Sequence, residues 1–278
     1  MRPAGLAGFK KNAVRNDNEG VYMITSTTNK QIKMIQKLQK SSKERRQQGL
    51  FVIEGIRMFK EIPVEYLDKV FVTELFYEKN RELFLDREPD DFVADSVFEK
   101  LSETQTPQGV LATVKMRTYS FEEVLGEGEN PLLLVLENLQ DPGNLGTILR
   151  TAEGAGASGI IMSKDTVDIY NPKVVRSTMG ALFRMPFFYA DDIFEAVKKL
   201  QERGITVYAA HLNGEGFYEK DYRGGTAFLV GNEGNGLTDR ITAMADEKIR
   251  IPMMGKVESL NAAIAATLMA YEALRQRL

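Results

Sequence analysis

The chain of 278 residues has no cysteine and a single histidine, His211. The first absence excludes disulfides, thiolate nucleophiles and cysteine-ligated zinc or iron–sulfur centres, and it fits a reducing compartment. The second excludes paired-histidine metal sites and leaves a Ser-His-Asp triad a poor candidate, so no metal is expected. Apolar runs fall far short of the roughly 18 residues that a membrane span needs. Near its start the chain carries Lys10, Lys11 and Arg15 with no apolar core after them, unlike a secretory signal. A soluble, cytoplasmic protein with no membrane partner is the expectation.

The formal net charge of −3 would argue against a nucleic-acid partner if it were spread evenly. It is not. Between Lys30 and Arg46 stand Lys30, Lys33, Lys37, Lys40, Lys43, Arg45 and Arg46 against the single acid Glu44. From Asn29 the pattern is helical, with Ile32, Ile35 and Leu38 on one face and Lys33, Lys37 and Lys40 together on another. A solvated helix face accounts for those lysines alone. Lys43, Arg45 and Arg46 extend the charge past the helix toward the next strand, so Lys33, Lys37, Lys40, Arg45 and Arg46 are read as phosphate contacts to RNA.

Residues 1–21 have no periodicity and read as a flexible extension. Residues 22–116 alternate strands (Leu50–Glu54, Lys69–Thr73, Asp91–Ala94, Gly109–Met116) with a short helix over Gly55–Glu61, as a small α/β lobe does. Residues 117–130, with Gly126, Gly128 and several acids, read as a linker holding one short helix at Phe121–Leu125. From residue 131 the pattern changes. The continuously apolar Leu132–Leu136 is expected of a parallel strand buried on both faces. Strands at Gly159–Met162, Thr206–Ala210, Ala227–Val230 and Lys248–Ile251 alternate with helices at Leu145–Ala155, Pro172–Leu182, Ile193–Arg203, Leu237–Ala245 and Ala262–Leu274, which makes residues 131–278 a parallel α/β domain.

Three polar segments of this domain follow strands, at the edge where open α/β sheets bind ligands. The first runs from Glu137 to Glu153 and includes Asp141-Pro142-Gly143-Asn144, which by itself reads as a helix entry with Asn144 as N-cap; Arg150 follows six residues later. The second, Gly231-Asn232-Glu233-Gly234-Asn235-Gly236, has three glycines in six residues, enough for a tight turn or for backbone to close on a flat ligand. The third is Ile251 to Asn261, where Pro252 and Gly255 break regular structure and Ser259 stands where an N-cap is expected. Asn261 is then a surplus polar group at a strand-to-helix turn. A literal Gly-x-Gly-x-x-Gly at Gly154, Gly156 and Gly159 closes a helix and opens a strand, the reverse of a dinucleotide site, and no Walker-type loop is present.

In order and spacing these segments resemble the three motifs of the SpoU (TrmH-like) branch of the SPOUT RNA methyltransferases, over roughly Leu132 to Leu274. Residues Ile24 to Met116 are similar, less specifically, to the ribosomal-protein-like RNA-binding lobe that precedes the catalytic domain in many of these enzymes. The resemblance implies a SPOUT domain with a deep trefoil knot, an exception to the rule against threaded chains. It also implies a homodimer, bound S-adenosylmethionine, and methyl transfer to a ribose 2′-hydroxyl, with 23S rRNA as the expected substrate. Carried over by position, Ala210, Gly231, Asn232, Ile251, Met253, Ser259 and Leu260 surround the cofactor. Asn144, Arg150, Glu233, Ser259 and Asn261 match the family's catalytic polar positions. His211 has no counterpart in the resemblance, and neither has the stretch before Val21. A tRNA 2′-O-methyltransferase and a non-catalytic RNA-binding or ribosome-assembly protein on the same fold are the alternatives; a small-molecule methyltransferase would leave the basic lobe unexplained. A 2′-hydroxyl is a poor nucleophile that must be oriented and relieved of its proton. Arginine, with a pKa above about 12, is ill suited to be that base, so Arg150 is read as a clamp on the adjacent phosphate.

Overall fold

The computed structural model describes residues 13–15, 22–257 and 259–278. The chain divides into two compact units, Met1–Met116 and Arg117–Leu278.

The first unit contains β1 (Ala13–Arg15), β2 (Tyr22–Ile24), α1 (Lys30–Lys40), α2 (Ser42–Gln48), β3 (Leu50–Glu54), α3 (Ile56–Lys60), β4 (Leu67–Val72), α4 (Glu74–Lys79), β5 (Asp91–Val93), α5 (Asp95–Leu101) and β6 (Val110–Lys115). Its six strands lie in the order β1-β2-β5-β4-β6-β3. The sheet is mixed: β2, β5 and β4 run parallel, while β1 pairs antiparallel with β2 and β6 pairs antiparallel with β4 and β3. Inside the stretch read as a flexible extension, Ala13–Arg15 thus forms an edge strand; the other residues before Val21 lie outside the described ones. Ile32, Ile35 and Leu38 of α1 are fully buried against Val52, Phe71 and Leu111, as the helical period requires.

The basic segment differs from its sequence reading at one residue. Ser41 ends α1 and caps a second helix, its hydroxyl accepting from the Glu44 N–H at 3.3 Å. That turn swings Arg45 inward. Arg45 is 3% exposed, and its Nη1 donates to the carbonyls of Leu38 (2.6 Å) and Gln39 (3.2 Å), satisfying the open end of α1. It is a structural cap and not available to phosphate. Lys33, Lys37, Lys40 and Arg46 are exposed.

Asp91 is a buried acid in this unit whose carboxyl is pushed up from 3.8 to about 6 by burial, against the opposing pull of Lys69 and a hydrogen bond from Gln31. The folded state therefore holds this proton more tightly than the unfolded chain, so the contribution of Asp91 to stability is greatest below about pH 4 and falls as the pH rises toward 6. Gln31 Oε1 is also buried without a partner. Asp91→Asn removes the charge and supplies an amide donor beside that oxygen. Urea unfolding at pH 7 should show a gain of up to about 3 kcal/mol, shrinking toward nothing at pH 4; a loss at pH 7 would overturn this account.

The second unit contains α6 (Phe121–Leu125), β7 (Leu132–Leu136), α7 (Pro142–Gly154), β8 (Gly159–Ser163), α8 (Pro172–Thr178), β9 (Phe187–Ala190), α9 (Ile193–Glu202), β10 (Thr206–Gly216), β11 (Thr226–Val230), α10 (Asp239–Met244), β12 (Glu247–Arg250) and α11 (Ala262–Arg277). Six parallel strands lie in the order β12-β10-β11-β7-β8-β9. Strands β7, β8 and β11 are buried at every position, which is why they read as unbroken apolar runs. The stretch read as a linker is packed onto this unit. Tyr170 Oη accepts from the Arg117 N–H (2.7 Å) and donates to the Arg117 carbonyl (2.6 Å), and Tyr119 stacks edge-on to Phe187.

Strand β10 is longer than its apolar core. After Ala210 it makes an excursion and returns, so that Ala210 and Glu215 both register with Ile249 of β12. At Gly214 the approach is close enough that a Cβ would stand 2.5–2.7 Å from the backbone of Ile249.

Candidate functional site

The register of the second sheet aligns the three motif loops. Ala209 pairs with Leu229 and Ala210 with Ile249, so Ala210, where the regular pairing of β10 breaks, lies close to Gly231 and Ile251, which follow the last residues of β11 and β12. Strand β12 is separated from β7 by β10 and β11. The segment after Ile251 must therefore cross about 14 Å of sheet edge to deliver Asn261 to α7, and it does so.

Asn144 is where the three loops meet. Its Nδ2 donates to Glu233 Oε1 at 2.9 Å, and its Oδ1 accepts from Asn261 Nδ2 at 2.9 Å. Glu233 also accepts the backbone N–H of Gln140 (3.1 Å) and of Asp141 (2.8 Å). Burial works to raise the Glu233 pKa, but the bonds from the Asn144 side chain and the Gln140 and Asp141 backbone outweigh it and hold the carboxyl below its ordinary value. Glu233 is thus a poor base at neutral pH and a good acceptor. Both polar ends of Asn144 are occupied, which makes it a strut among the loops.

The caps differ from those read in the sequence. Asp141, with Pro142 as the first helical residue, caps α7 by accepting the Asn144 N–H at 2.8 Å, so Asn144 lies inside the first turn. Asn261, not Ser259, caps α11: its Oδ1 accepts from Ala263 (2.9 Å) and Ile264 (3.3 Å) while its Nδ2 reaches Asn144. One side chain serves as cap and as inter-loop link, which explains the apparent surplus. Ser259 is exposed and makes no hydrogen bond among the described residues.

Asn232 holds its own loop. Its Oδ1 accepts from Gly234 (2.9 Å) and Asn235 (3.1 Å), and its Nδ2 donates to the Asn138 carbonyl at 2.8 Å. Asn138 has the left-handed φ of 54° that lets the chain turn off β7. Among the described residues the backbones of Ile251, Met253 and Leu260 make no hydrogen bond. Free backbone donors and acceptors beside a sheet edge suit a ligand that carries a flat base and a small polar tail.

Arg150 is not part of this cluster. Six residues beyond Asn144 on a helix is about 120° round the axis; Arg150 is exposed, with no partner among the described residues. His211 is half-buried, its Nδ1 accepting from the Asn213 N–H at 3.1 Å. Two supporting residues, Glu137 and Gln140, were given no role in the sequence reading although they lie in its first motif. Glu137, 3% exposed at the end of β7, accepts the Thr238 N–H and hydroxyl, both at 2.7 Å, and so anchors the far end of the second loop. Gln140 joins Glu233 to the loop after β8 through the Asp165 carbonyl at 2.6 Å. An acid directly after a wholly apolar strand was the signal for Glu137. Among the described residues no group of His, Cys, Asp and Glu could hold a metal, and no helix is long and apolar enough to cross a membrane.

A parallel sheet with three polar loops tied together at its carboxyl edge defines an α/β ligand-binding domain. The profile of the SpoU rRNA Methylase family matches residues 131–271, and that of the MRM3-like substrate binding domain matches residues 29–112. The chain belongs to the SpoU rRNA methylase family. It is 34% identical over 266 residues to an uncharacterized tRNA/rRNA methyltransferase of Synechocystis sp., covering 92% of this chain and 95% of that one. It is 32% identical over 252 residues to the 23S rRNA (guanosine(2553)-2′-O)-methyltransferase RlmP of Bacillus subtilis, covering 89% and 97%. Among solved structures, the SpoU methyltransferase AviRb from Streptomyces viridochromogenes in complex with AdoMet superposes with a TM-score of 0.81 at 29% identity, covering 90% of this chain and 98% of that one. The AdoMet-bound rRNA methyltransferase of Sinorhizobium meliloti gives 0.78 at 30% identity, covering 93% and 99%.

Proposed function

We propose that this protein transfers a methyl group from S-adenosylmethionine to a ribose 2′-hydroxyl of RNA, in 23S rRNA rather than tRNA, as a cytoplasmic homodimer. The observation that carries the reading is the chain Glu233–Asn144–Asn261, which ties the loops after β11, β7 and β12 together beside backbone that has no partners among the described residues. Related proteins carry names of rRNA 2′-O-methyltransferases, and two solved relatives hold AdoMet.

The residues fit the cofactor. Ala210 lies where the regular pairing of β10 breaks, Gly231 and Ile251 follow β11 and β12, and the backbone of Ile251, Met253 and Leu260, without a hydrogen bond among the described residues, can bond an adenine or a ribose. Asn232 braces the loop from below and Ser259 is exposed at its rim. Bound there, the cofactor supplies a sulfonium methyl open to attack by an oxygen. The protein's part is orientation: Glu233, kept ionised, aligns Asn144, and Asn144 aligns Asn261 and with it the start of α11. Arg150 clamps a phosphate of the RNA and orients the 2′-hydroxyl. The crossing of the segment after Ile251 from β12 to Asn144 of α7 is compatible with the trefoil knot that the resemblance implies.

The dimer is supported by α11. One face buries Ala263, Ala266, Met269, Ala270 and Ala273, yet Ile264, Leu268 and Tyr271, at helical spacing on another, are 52%, 37% and 45% exposed. Such a second apolar stripe on a helix fits a self-complementary interface.

The experiment is single-turnover transfer of labelled methyl to ribosomal RNA from a strain lacking the gene, followed by mapping of 2′-O-methyl sites. Transfer to one nucleotide of 23S rRNA is expected. Intact cofactor binding with no transfer to any RNA fraction would favour a binding-only protein, and transfer to tRNA alone would move the substrate.

The basic face of the first unit is expected to hold RNA through Lys33, Lys37, Lys40 and Arg46. Changing these four to Gln should weaken binding regardless of sequence and lower the salt slope by up to about one unit per contact. Arg45→Gln should instead destabilise the unit, since it caps α1. A quadruple variant with the wild-type affinity and slope would reduce that face to a solvated one.

A further inference from the structure

Beside the tied loops the same sheet edge holds a cavity of about 230 Å³ at the carboxyl ends of β7, β8 and β9. Whole small-molecule sites start at about 300 Å³, so this one is sized for part of a larger ligand. On one wall the Arg240 guanidinium lies 3.6 Å from the Phe194 ring centroid, and Arg240 is itself exposed. The pair forms a flat cationic surface of the kind on which nucleobases stack.

The acids of the cavity divide into two kinds. Glu137 is committed to Thr238, and Asp192 caps α9 by accepting from Phe194 (2.8 Å) and Glu195 (3.3 Å). Asp165 and Asp191 also line the cavity, are exposed, and their carboxylates have no partner among the described residues. With these acids against only Lys164 and Arg240, the interior repels a phosphate. It suits a flat group that donates hydrogen bonds in pairs.

A carboxylate offers two acceptor oxygens and no donor when ionised. Among the bases of RNA, guanine alone places two donors side by side on its Watson–Crick edge, N1–H and the 2-amino group. Adenine and cytosine put a ring lone pair beside their amino group, and uracil flanks N3–H with carbonyls.

The cavity is also wired to the tied loops. Asn138 lines it, and the Asn138 carbonyl takes the Asn232 amide at 2.8 Å. Gln140 donates its backbone N–H to Glu233 and its side chain to the Asp165 carbonyl. A base seated here therefore touches the wall whose other side carries Asn144 and Glu233. We propose that this cavity takes an unpaired guanine of the substrate RNA next to the methylated nucleotide, stacked on Arg240 and read at its Watson–Crick edge by Asp165 and Asp191. The proposal rests on the RNA methyltransferase reading and adds a base-reading subsite to it.

The test uses the full-length protein and single-stranded RNA pentamers, oligouridylate with a central guanosine, inosine or adenosine, followed by fluorescence anisotropy. Wild type should prefer guanosine over adenosine, and over inosine, which lacks the 2-amino group, by roughly tenfold. Arg240→Ala and Arg240→Lys should each weaken the guanosine pentamer by roughly tenfold, the usual scale for a lost stacking surface. The double variant Asp165→Asn, Asp191→Asn should erase the discrimination among the three. With rRNA from the deletion strain, the same variants should raise KM with kcat and cofactor affinity unchanged.

Equal binding of the three pentamers by wild type, or discrimination that survives in the variants, overturns the subsite. If wild type methylates rRNA yet shows no guanine preference, the subsite fails while the activity stands. If wild type methylates no RNA, the activity fails, and the pentamers still decide the subsite.

Discussion

Arg150→Ala should bind S-adenosylmethionine as wild type does and lose methyl transfer by roughly two or more orders of magnitude. The first half follows from geometry, because Arg150 stands off the Asn144–Glu233–Asn261 cluster and makes no bond that holds a loop. The second half follows from the task left to it: a 2′-hydroxyl must be held in line with the methyl carbon, and misplacement of a reacting group alone can cost about a hundredfold. Lysine at 150 should rescue little, since a point charge cannot reproduce the planar, bidentate fork of a guanidinium. Single-turnover transfer at saturating cofactor separates the two effects. Wild-type rates in Arg150→Ala would remove Arg150 from the mechanism.

Gly231→Ala should collapse cofactor affinity, while Gly234→Ala in the same loop should be tolerated. From the sequence, Gly231 is small so that a ligand can meet backbone. The structure supplies a nearer reason. A Cβ at 231 would stand 2.1 Å from the Gly236 carbonyl carbon, 2.2 Å from the Leu237 nitrogen and 2.4 Å from the Gly236 oxygen. Those atoms belong to the return arm of a loop closed by paired bonds between Asn232 and Gly236 at 3.0 and 2.9 Å. The alanine must force that arm open, and Glu233 sits in the turn that the arm closes. Overpacking of this kind costs about 1–3 kcal/mol, so calorimetry should show roughly a ten- to hundredfold loss of affinity if cofactor binding needs the closed loop. At Gly234 the nearest atom to a new Cβ is Asn232 Oδ1 at 3.5 Å, an ordinary contact. Unchanged affinity in a folded Gly231→Ala variant would displace the cofactor from this loop.

The sequence was most legible where burial is complete. Leu132–Leu136 read as a buried parallel strand because both faces must be apolar, Ala227–Val230 read as a strand, and α1 showed its core face through Ile32, Ile35 and Leu38. It was least legible where one side chain has two possible employments. Arg45 sits in a cationic run and looks like its neighbours, but the Ser41 turn aims it at the open carbonyls of α1. Ser259 has the better local claim to cap α11, and Asn261 takes the position because the chain there also has to reach Asn144. The edge strand Phe187–Ala190 went unread, as did α4 and α5.

The sequence alone determined the parallel α/β character of residues 131–278, the order of three polar loops after three strands, and the basic run on the first unit, since these depend on local periodicity, turn chemistry and charge. Tertiary structure decided which polar groups meet. Asn144 bonds Glu233 across 89 residues of chain and Asn261 across 117. Neither pairing can be read from spacing, because both follow from the strand order β12-β10-β11-β7, which sets the loops of β11 and β7 side by side and carries the loop of β12 across them. Local pattern specifies how a segment folds, whereas contact between segments depends on the neighbours that burial of their shared apolar faces selects.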